Sequence, residues 1–298
     1  MLHNLLRRLA CLSFLLCLVP AAWAGFTLEQ VMSYSFPDHL VAAAHADRVA
    51  WVFNQRGVRN IWVADAPGFQ ARAVTRYTPD DGQDIPALAL TPDGGTAVYV
   101  RGTELFEENA EVTNPTSNVR GAKHEVWAVD VAGGEPRLLG SISCTGESCE
   151  DLRISPDGKR VLWAGKKELW IAPVDGSGPA RQLAEVRGEN SSPRWSPDGK
   201  RIAFVSRRGD HSFIGIYDFG RDSILYLAPS VDRDSMPRWS PEGKQVAFIR
   251  QPGRERGLPL IPDLPHPWAV WVADAGNGVG HQVWHSGSGM NDSLWEER

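Results

Sequence analysis

Cysteine is scarce in this 298-residue sequence: there are four, and two of them fall within the first 17 residues. The other two are Cys144 and Cys149. No second Cys or His pair at ligand spacing accompanies them, which disfavours a zinc site. A disulfide between them is plausible in an oxidising compartment, and free thiols are the alternative.

Strong charge and catalytic motifs are also missing. A formal net charge of -5 gives no general attraction to phosphate backbones, so we expect no nucleic-acid binding. The sequence has no Gly-x-Ser-x-Gly elbow, no phosphate-binding glycine motif and no His-Glu-x-x-His site. His281 and His285 are expected on one face of a strand, but two histidines without a third ligand are more often surface residues. We therefore predict no metal, no cofactor and no catalytic activity for this chain alone.

The first 24 residues have the pattern of a secretory signal peptide. Arg7 and Arg8 precede an eleven-residue apolar run, Leu9 to Val19, and Ala22-Trp23-Ala24 forms a cleavage site. The apolar run is shorter than the roughly 18 to 20 residues that span a membrane. We expect export to the periplasm or the exterior, cleavage after Ala24 and no stable membrane insertion.

One tight-turn motif recurs through the rest of the chain. Ser-Pro-Asp/Glu-Gly-Lys begins at Ser155, Ser196 and Ser240, and a looser copy begins at Thr91. Proline presets φ for the second position of a turn, and the glycine accepts a positive φ. Each copy lies between a short segment and a β-branched or aromatic run, which predicts a hairpin corner.

The last three corners recur at intervals of 41 and 44 residues, and an insertion stretches the interval before them to 64. A period in the low forties with four predicted strands is typical of β-propeller blades. We predict an all-β propeller over residues 39–298, preceded by a lead-in segment at 25–38. The predicted blades occupy about 39–78, 84–141, 149–187, 191–229 and 235–286. Residues 291–298 match the opening strand of a sixth blade, so five blades and the start of a sixth would form an incomplete ring.

Three arginines occupy the same position in the first strands of consecutive blades: Arg153, Arg194 and Arg238. Acidic residues precede each strand. One interpretation is structural ion pairing between blades, because buried charges need partners. The other is a charged ring at the channel mouth that selects substrates.

Two insertions interrupt the repeat, at Gly102 to Lys123 and at Gln251 to Pro267. Loops on a rigid scaffold often carry function, although a solvated loop is the simpler interpretation. The substrate-binding candidates that they contain are Glu107, Glu108, Arg254 and Arg256.

The corner repeats followed by Ile202-Ala203-Phe204 resemble the TolB-type propeller repeat over residues 85 to 250. The segments Phe26 to Tyr34 and Val49 to Trp62 are similar to the start of exported bacterial serine peptidases of the prolyl oligopeptidase family, of the dipeptidyl-peptidase and acylaminoacyl-peptidase types. That resemblance implies an N-terminal propeller that caps an α/β-hydrolase domain. This sequence lacks the hydrolase domain, so no catalytic residue can be assigned. In some members a Glu-Glu pair binds the substrate's amino terminus, a role for which Glu107 and Glu108 are the candidates.

Two functions follow from these resemblances. In the first, the chain is the non-catalytic propeller of a peptidase, with peptide substrates and a hydrolase domain as partners. In the second, it is a TolB-like periplasmic propeller that binds other proteins. The short segment before the first blade favours the first function, since TolB-like proteins carry an α/β domain there.

Overall fold

The computed structural model describes residues 27–103, 124–142, 151–165, 167–253 and 267–288. The chain divides into two units, residues 1–34 and residues 35–298. The described part of the first is a short helix, α1 (Leu28–Met32), which Thr27 and Gln30 begin with a capping box. Among the described residues, no helix is long and apolar enough to span a bilayer.

The described part of the second unit consists mainly of antiparallel strands, as predicted. We call each group of four consecutive strands a repeat. Repeat 1 contains β1 (Phe36–Ala42), β2 (Arg48–Gln55), β3 (Val58–Asp65) and β4 (Arg72–Ala73). Repeat 2 contains β5 (Gln83–Leu90), β6 (Thr96–Thr103), β7 (His124–Asp130) and β8 (Arg137–Ile142). Repeat 3 contains β9 (Arg153–Ile154), β10 (Arg160–Ala164), β11 (Leu169–Pro173) and β12 (Arg181–Gln182).

The last two described repeats have the same order of four strands. Repeat 4 contains β13 (Glu189–Trp195), β14 (Arg201–Arg207), β15 (Ser212–Asp218) and β16 (Ser223–Leu227). Repeat 5 contains β17 (Arg233–Trp239), β18 (Gln245–Gln251), β19 (Ala269–Asp274) and β20 (Gly280–His285). In every repeat each strand pairs with the next one along the chain, and a single parallel bridge between Ser212 and Arg233 joins repeats 4 and 5.

The core lies between consecutive repeats. One cluster joins repeats 1 and 2 through residues such as Ile61 and Tyr99, and three more join repeats 2 to 3, 3 to 4 and 4 to 5. Alternate side chains of a strand point to opposite faces, so a repeat packed on both sides needs apolar residues on both. Sheets that stack one after another through their faces are the arrangement that a propeller requires, whereas a sandwich has two sheets sharing one core.

The recurring corners have the predicted turn geometry. The corner glycines all have φ between +66° and +72°: Gly94, Gly158, Gly199 and Gly243. In the corner that opens at Ser196, the Gly199 N–H donates to the Ser196 carbonyl, and the Ser196 hydroxyl donates to Asp198 Oδ1 at 2.6 Å. The same hydroxyl accepts from the Arg201 N–H at 2.9 Å. One side chain therefore satisfies both ends of the turn.

The first strands are less regular than the sequence suggests. Strand β1 begins at Phe36, inside the predicted lead-in segment, because a bulge between Asp38 and Val41 lets the pairing with β2 continue. Matching irregularities occur in β5, β13 and β17. Ser192 and Met236 lie in these irregularities with φ of 51° and 54°. The blade boundaries and blade number stay predictions, and residues 291–298 lie outside the described part of the chain.

Candidate functional site: the arginine row

The first strands of repeats 3, 4 and 5 carry the predicted arginines side by side. Arg153 pairs with Leu162, Arg194 with Ala203 and Arg238 with Ala247, so the three occupy one register position. Strand β13 contacts both β9 and β17. We call these three residues the arginine row.

Indole side chains hold the row together. Trp195 Nε1 donates to the Arg153 carbonyl at 2.9 Å, and Trp239 Nε1 donates to the Arg194 carbonyl at 3.0 Å. Each tryptophan is the residue immediately after the row arginine of its own repeat, and it binds the carbonyl of the row arginine in the preceding repeat. The spacing of the row therefore depends on a hydrogen bond repeated at each step.

The three guanidinium groups adopt the same local conformation. In each case Nη1 donates to the carbonyl of the preceding residue, at 2.8 Å in Arg153 and Arg194 and at 3.0 Å in Arg238. This bond uses one of the five N–H donors of a guanidinium and fixes its direction. The heads are preorganised by the backbone.

One carboxylate serves two members of the row. Asp151 Oδ1 lies 2.5 Å from Arg153 Nη2 and 2.9 Å from Arg194 Nη1. The side chains are 14% exposed for Asp151, 37% for Arg153 and 22% for Arg194, so the heads are half-buried. Burial lowers the pKa of Arg153, and the neighbouring Arg194 and Arg238 lower it further. Burial and Arg194 also lower the pKa of Arg238. The three cations lie close enough to repel one another.

Both sequence interpretations of these arginines need adjustment. Asp151 belongs to repeat 3 and binds Arg194 of repeat 4, so an ion pair does tie neighbouring repeats. Among the described repeats a full charged ring is not formed, because the corresponding positions of repeats 1 and 2 are Val41 and Ala89, which pair with Ala50 and Val98. The positive charge is a patch confined to repeats 3 to 5 of the described chain.

The other site candidates lie outside the described residues. These are Glu107, Glu108, Arg254 and Arg256 of the insertions and the disulfide candidates Cys144 and Cys149. In the part of the chain that the structure describes, no group of three or more His, Cys, Asp or Glu residues could hold a metal ion.

The two histidines near the end of the described chain correct one expectation. His281 is opposite Val272 and His285 is opposite Ala269, while an irregularity lies between them. Cross-strand partners share a face, so the two histidines are on opposite faces of the sheet. The extra residue in the strand breaks the alternation on which the sequence prediction rested.

Sequence reasoning missed a second set of arginines. Arg160 Nη2 donates to the Gly199 carbonyl at 2.9 Å, and Arg201 Nη2 donates to the Gly243 carbonyl at 2.6 Å. Arg48 Nη1 makes the equivalent bond to Gly94 in repeat 2 at 2.6 Å. Each bond runs from one repeat to the corner of the next. The available signal was an arginine one residue after the Lys of the corner motif in repeats 3 and 4.

A buried ion pair was also missed. Asp234 accepts two bonds from Arg250, at 2.7 Å to Nε and 2.8 Å to Nη2, and the two side chains are 0% and 7% exposed. Burial raises the pKa of Asp234, and Arg250 opposes this shift. Arg250 Nη2 also donates to the Ala228 carbonyl at the end of repeat 4. This pair is therefore structural.

Comparison with known proteins relates the chain to peptidases. No family model matches. The chain is 32% identical over 141 residues to the uncharacterized peptidase YuxL of Bacillus subtilis, and 33% identical over 84 residues to dipeptidyl-peptidase 5 of Porphyromonas gingivalis. The matches cover 45% and 25% of this chain but 19% and 12% of those proteins. This chain is a propeller with peptidase homologues. It spans less than a fifth of the length of either relative.

Solved structures agree on the fold. A protein from Bacteroides ovatus described as a dipeptidyl aminopeptidase IV superposes with a TM-score of 0.58 at 10% identity, covering 83% of this chain and 39% of that one. A prolyl endopeptidase superposes with a TM-score of 0.56 at 11% identity, covering 85% and 36%. TolB from Acinetobacter baumannii is 21% identical, with a TM-score of 0.46 and coverage of 82% and 54%. The predicted resemblance to peptidases of these types is confirmed.

Proposed function

We propose that the chain is the non-catalytic propeller of an exported serine peptidase of the prolyl oligopeptidase family. In this role it admits peptides and supports an α/β-hydrolase domain that performs acyl transfer through a nucleophilic serine. The observation that carries the proposal is the 32% identity over 141 residues to a peptidase, combined with stacked four-stranded repeats. The TolB-like protein-binding alternative stays a prediction, and the sequence relatives favour the peptidase.

The coding sequence beyond Arg298 gives the first test. A continuing reading frame that encodes a Gly-x-Ser-x-Gly elbow supports the proposal. A stop codon with no hydrolase frame would contradict it and leave a binding module.

Activity gives the second test. We expect the purified chain to leave aminoacyl and peptidyl nitroanilides intact, and the chain extended through a downstream hydrolase frame to cleave them. A serine-directed inhibitor should abolish that cleavage. Turnover by the 298-residue chain alone that resists the inhibitor would contradict the assignment of a non-catalytic module.

Export is part of the same proposal. Expression of the chain in a Gram-negative host should yield a periplasmic product whose amino terminus is Gly25, since the signal pattern ends at Ala24. Amino-terminal sequencing of the fractionated product tests this, and a cytoplasmic product that retains residues 1 to 24 would contradict it.

A further inference from the structure

The arginine row carries more positive charge than its described surroundings balance. The Asp151 carboxylate pairs with Arg153 and Arg194, and it is the only carboxylate that the described residues pair with this row of three guanidinium groups. Arg238 forms no ion pair with any residue that the structure describes, although it has the same conformation as its neighbours. Like charges held in a half-buried site repel more strongly than they do in water. An anion at this position would relieve that repulsion.

The repeat itself shows where the anion would lie. Asp151 precedes Arg153 by two residues and bridges Arg153 to Arg194. The residue two before Arg194 is Ser192, a neutral residue, so the described chain supplies no carboxylate between Arg194 and Arg238. We call the space between two successive arginines of the row a gap. The gap between Arg153 and Arg194 holds the Asp151 carboxylate, whereas the gap between Arg194 and Arg238 holds no carboxylate of the described chain.

We infer that the gap between Arg194 and Arg238 binds a carboxylate of a peptide. We choose a carboxylate as the ligand by analogy with the gap that Asp151 fills, where two guanidinium groups of successive repeats share a carboxylate oxygen. Arginine is well suited to such sites because its planar fork donates several hydrogen bonds in a fixed direction. The choice of a peptide rests on the proposed peptidase function, and the carboxylate belongs either to its carboxyl terminus or to an acidic side chain.

Titration calorimetry of the full chain at low ionic strength tests the inference. Three probes separate the sources of the carboxylate: N-acetyl-trialanine, its carboxamide, and an acetylated, amidated peptide containing one Glu. Binding of the first or third, with no binding of the carboxamide, supports the inference and identifies the source. Equal binding of all three would overturn it.

Paired variants locate the site. Arg238→Gln should weaken carboxylate binding roughly tenfold or more, because it removes a charge-assisted hydrogen bond. Arg221→Gln, an exposed arginine in the turn between β15 and β16, makes the same change in net charge and should leave the affinity within about twofold. Equal losses in both variants would show a general charge effect and overturn the assignment.

The sharpest variant fills the gap from within. Ser192→Asp introduces a carboxylate two residues before Arg194, the sequence position that Asp151 has relative to Arg153. Asp tolerates the positive φ of this position. We expect it to abolish peptide binding while the thermal midpoint stays at or above that of the parent. Ser192→Asn is the neutral control of nearly the same size and should bind normally. Normal binding by Ser192→Asp, or equal loss in Ser192→Asn, would overturn the inference.

The inference and the proposed function fail in different ways. A coding sequence without a hydrolase frame would contradict the peptidase proposal and leave these titrations unchanged. Titrations without carboxylate binding would overturn the site and leave the relationship to peptidases intact.

Discussion

The corners of the repeats and the row position of their first strands differ in how far they are shared: the corners are alike from repeat to repeat, whereas the row position changes. At the corners, repeats 2 to 5 use nearly the same residues with the same backbone hydrogen bonds. At the row position, repeats 1 and 2 carry Val41 and Ala89, whereas repeats 3 to 5 carry arginine. A feature that every repeat needs is structural. A feature confined to some repeats, and costly in charge repulsion, indicates a task other than folding.

The largest effect should come from the buried ion pair between Asp234 and Arg250, which contrasts with the half-buried arginine row. Asp234→Ala leaves the Arg250 guanidinium buried without its carboxylate, so we expect a loss of about 3–5 kcal/mol in the free energy of unfolding. Chemical denaturation measures it. Arg238→Ala is the matched control at an exposed charge and should cost less than about 1 kcal/mol. Similar losses of unfolding free energy in the two variants would contradict the distinction between a structural ion pair and the arginine row.

The arginines that link repeats should rank next. Arg201→Ala removes bonds to the Gly243 and Ala275 carbonyls, at 2.6 Å and 3.1 Å, and the contact of the guanidinium with the Trp239 ring at 5.0 Å. We expect a loss of about 1–3 kcal/mol in unfolding free energy. Arg221→Ala is the exposed control and should change it by about 0.5 kcal/mol or less. Equal effects would mean that the links between repeats contribute nothing.

Substitution of a corner glycine should lower the free energy of unfolding somewhat less. Gly199→Ala forces a side chain into φ of +66°, although the nearest atom to the new Cβ would be Pro156 Cδ at an ordinary 3.5 Å. The expected loss is about 1–2 kcal/mol from backbone strain alone. Gly68→Ala, in a turn without positive φ and with Gln70 Cγ at 3.9 Å as the nearest atom to the new Cβ, should lose less than about 0.5 kcal/mol. Thermal and denaturant unfolding of the two variants compare them directly.

The smallest effect concerns pH. The pKa of Asp198 lies below its ordinary value of 3.8, mainly because the Ser196 hydroxyl donates a hydrogen bond to this carboxylate. A depressed folded-state pKa contributes stability that is present above the unfolded value and is lost as the pH falls through the folded value. Asp198→Asn should therefore be slightly less stable than the parent at neutral pH, with the difference shrinking below about pH 4. A difference that does not change with pH would contradict the pKa shift.

The sequence allowed the repeat and its corners to be predicted because they depend on local chemistry. Proline and glycine at fixed positions in Ser196 to Lys200 define a turn without reference to the rest of the fold. The register position shared by Arg153, Arg194 and Arg238 was equally readable, since alignment on the corners places them together. The carboxylate that Arg153 and Arg194 share was harder to predict from the sequence, because only one of several preceding acidic residues, Asp151, reaches two arginines.

Other features depend on relations that sequence spacing does not encode. The bulges that start β1 early and separate His281 from His285 add one residue to a strand, which reverses every later side-chain direction. The bonds from Arg160 and Arg201 to the next corner join positions about forty residues apart. Such contacts appear only when the repeats are stacked.

A comparison of two arginines tests the central claim most directly. Arg160 links repeats through the Gly199 carbonyl, and Arg238 is the unpaired end of the arginine row among the described residues. In Arg160→Gln the thermal midpoint should fall while carboxylate binding persists. In Arg238→Gln binding should weaken roughly tenfold or more while the midpoint changes little. If binding and stability fall together in both variants, the division between a structural repeat and a functional patch is wrong.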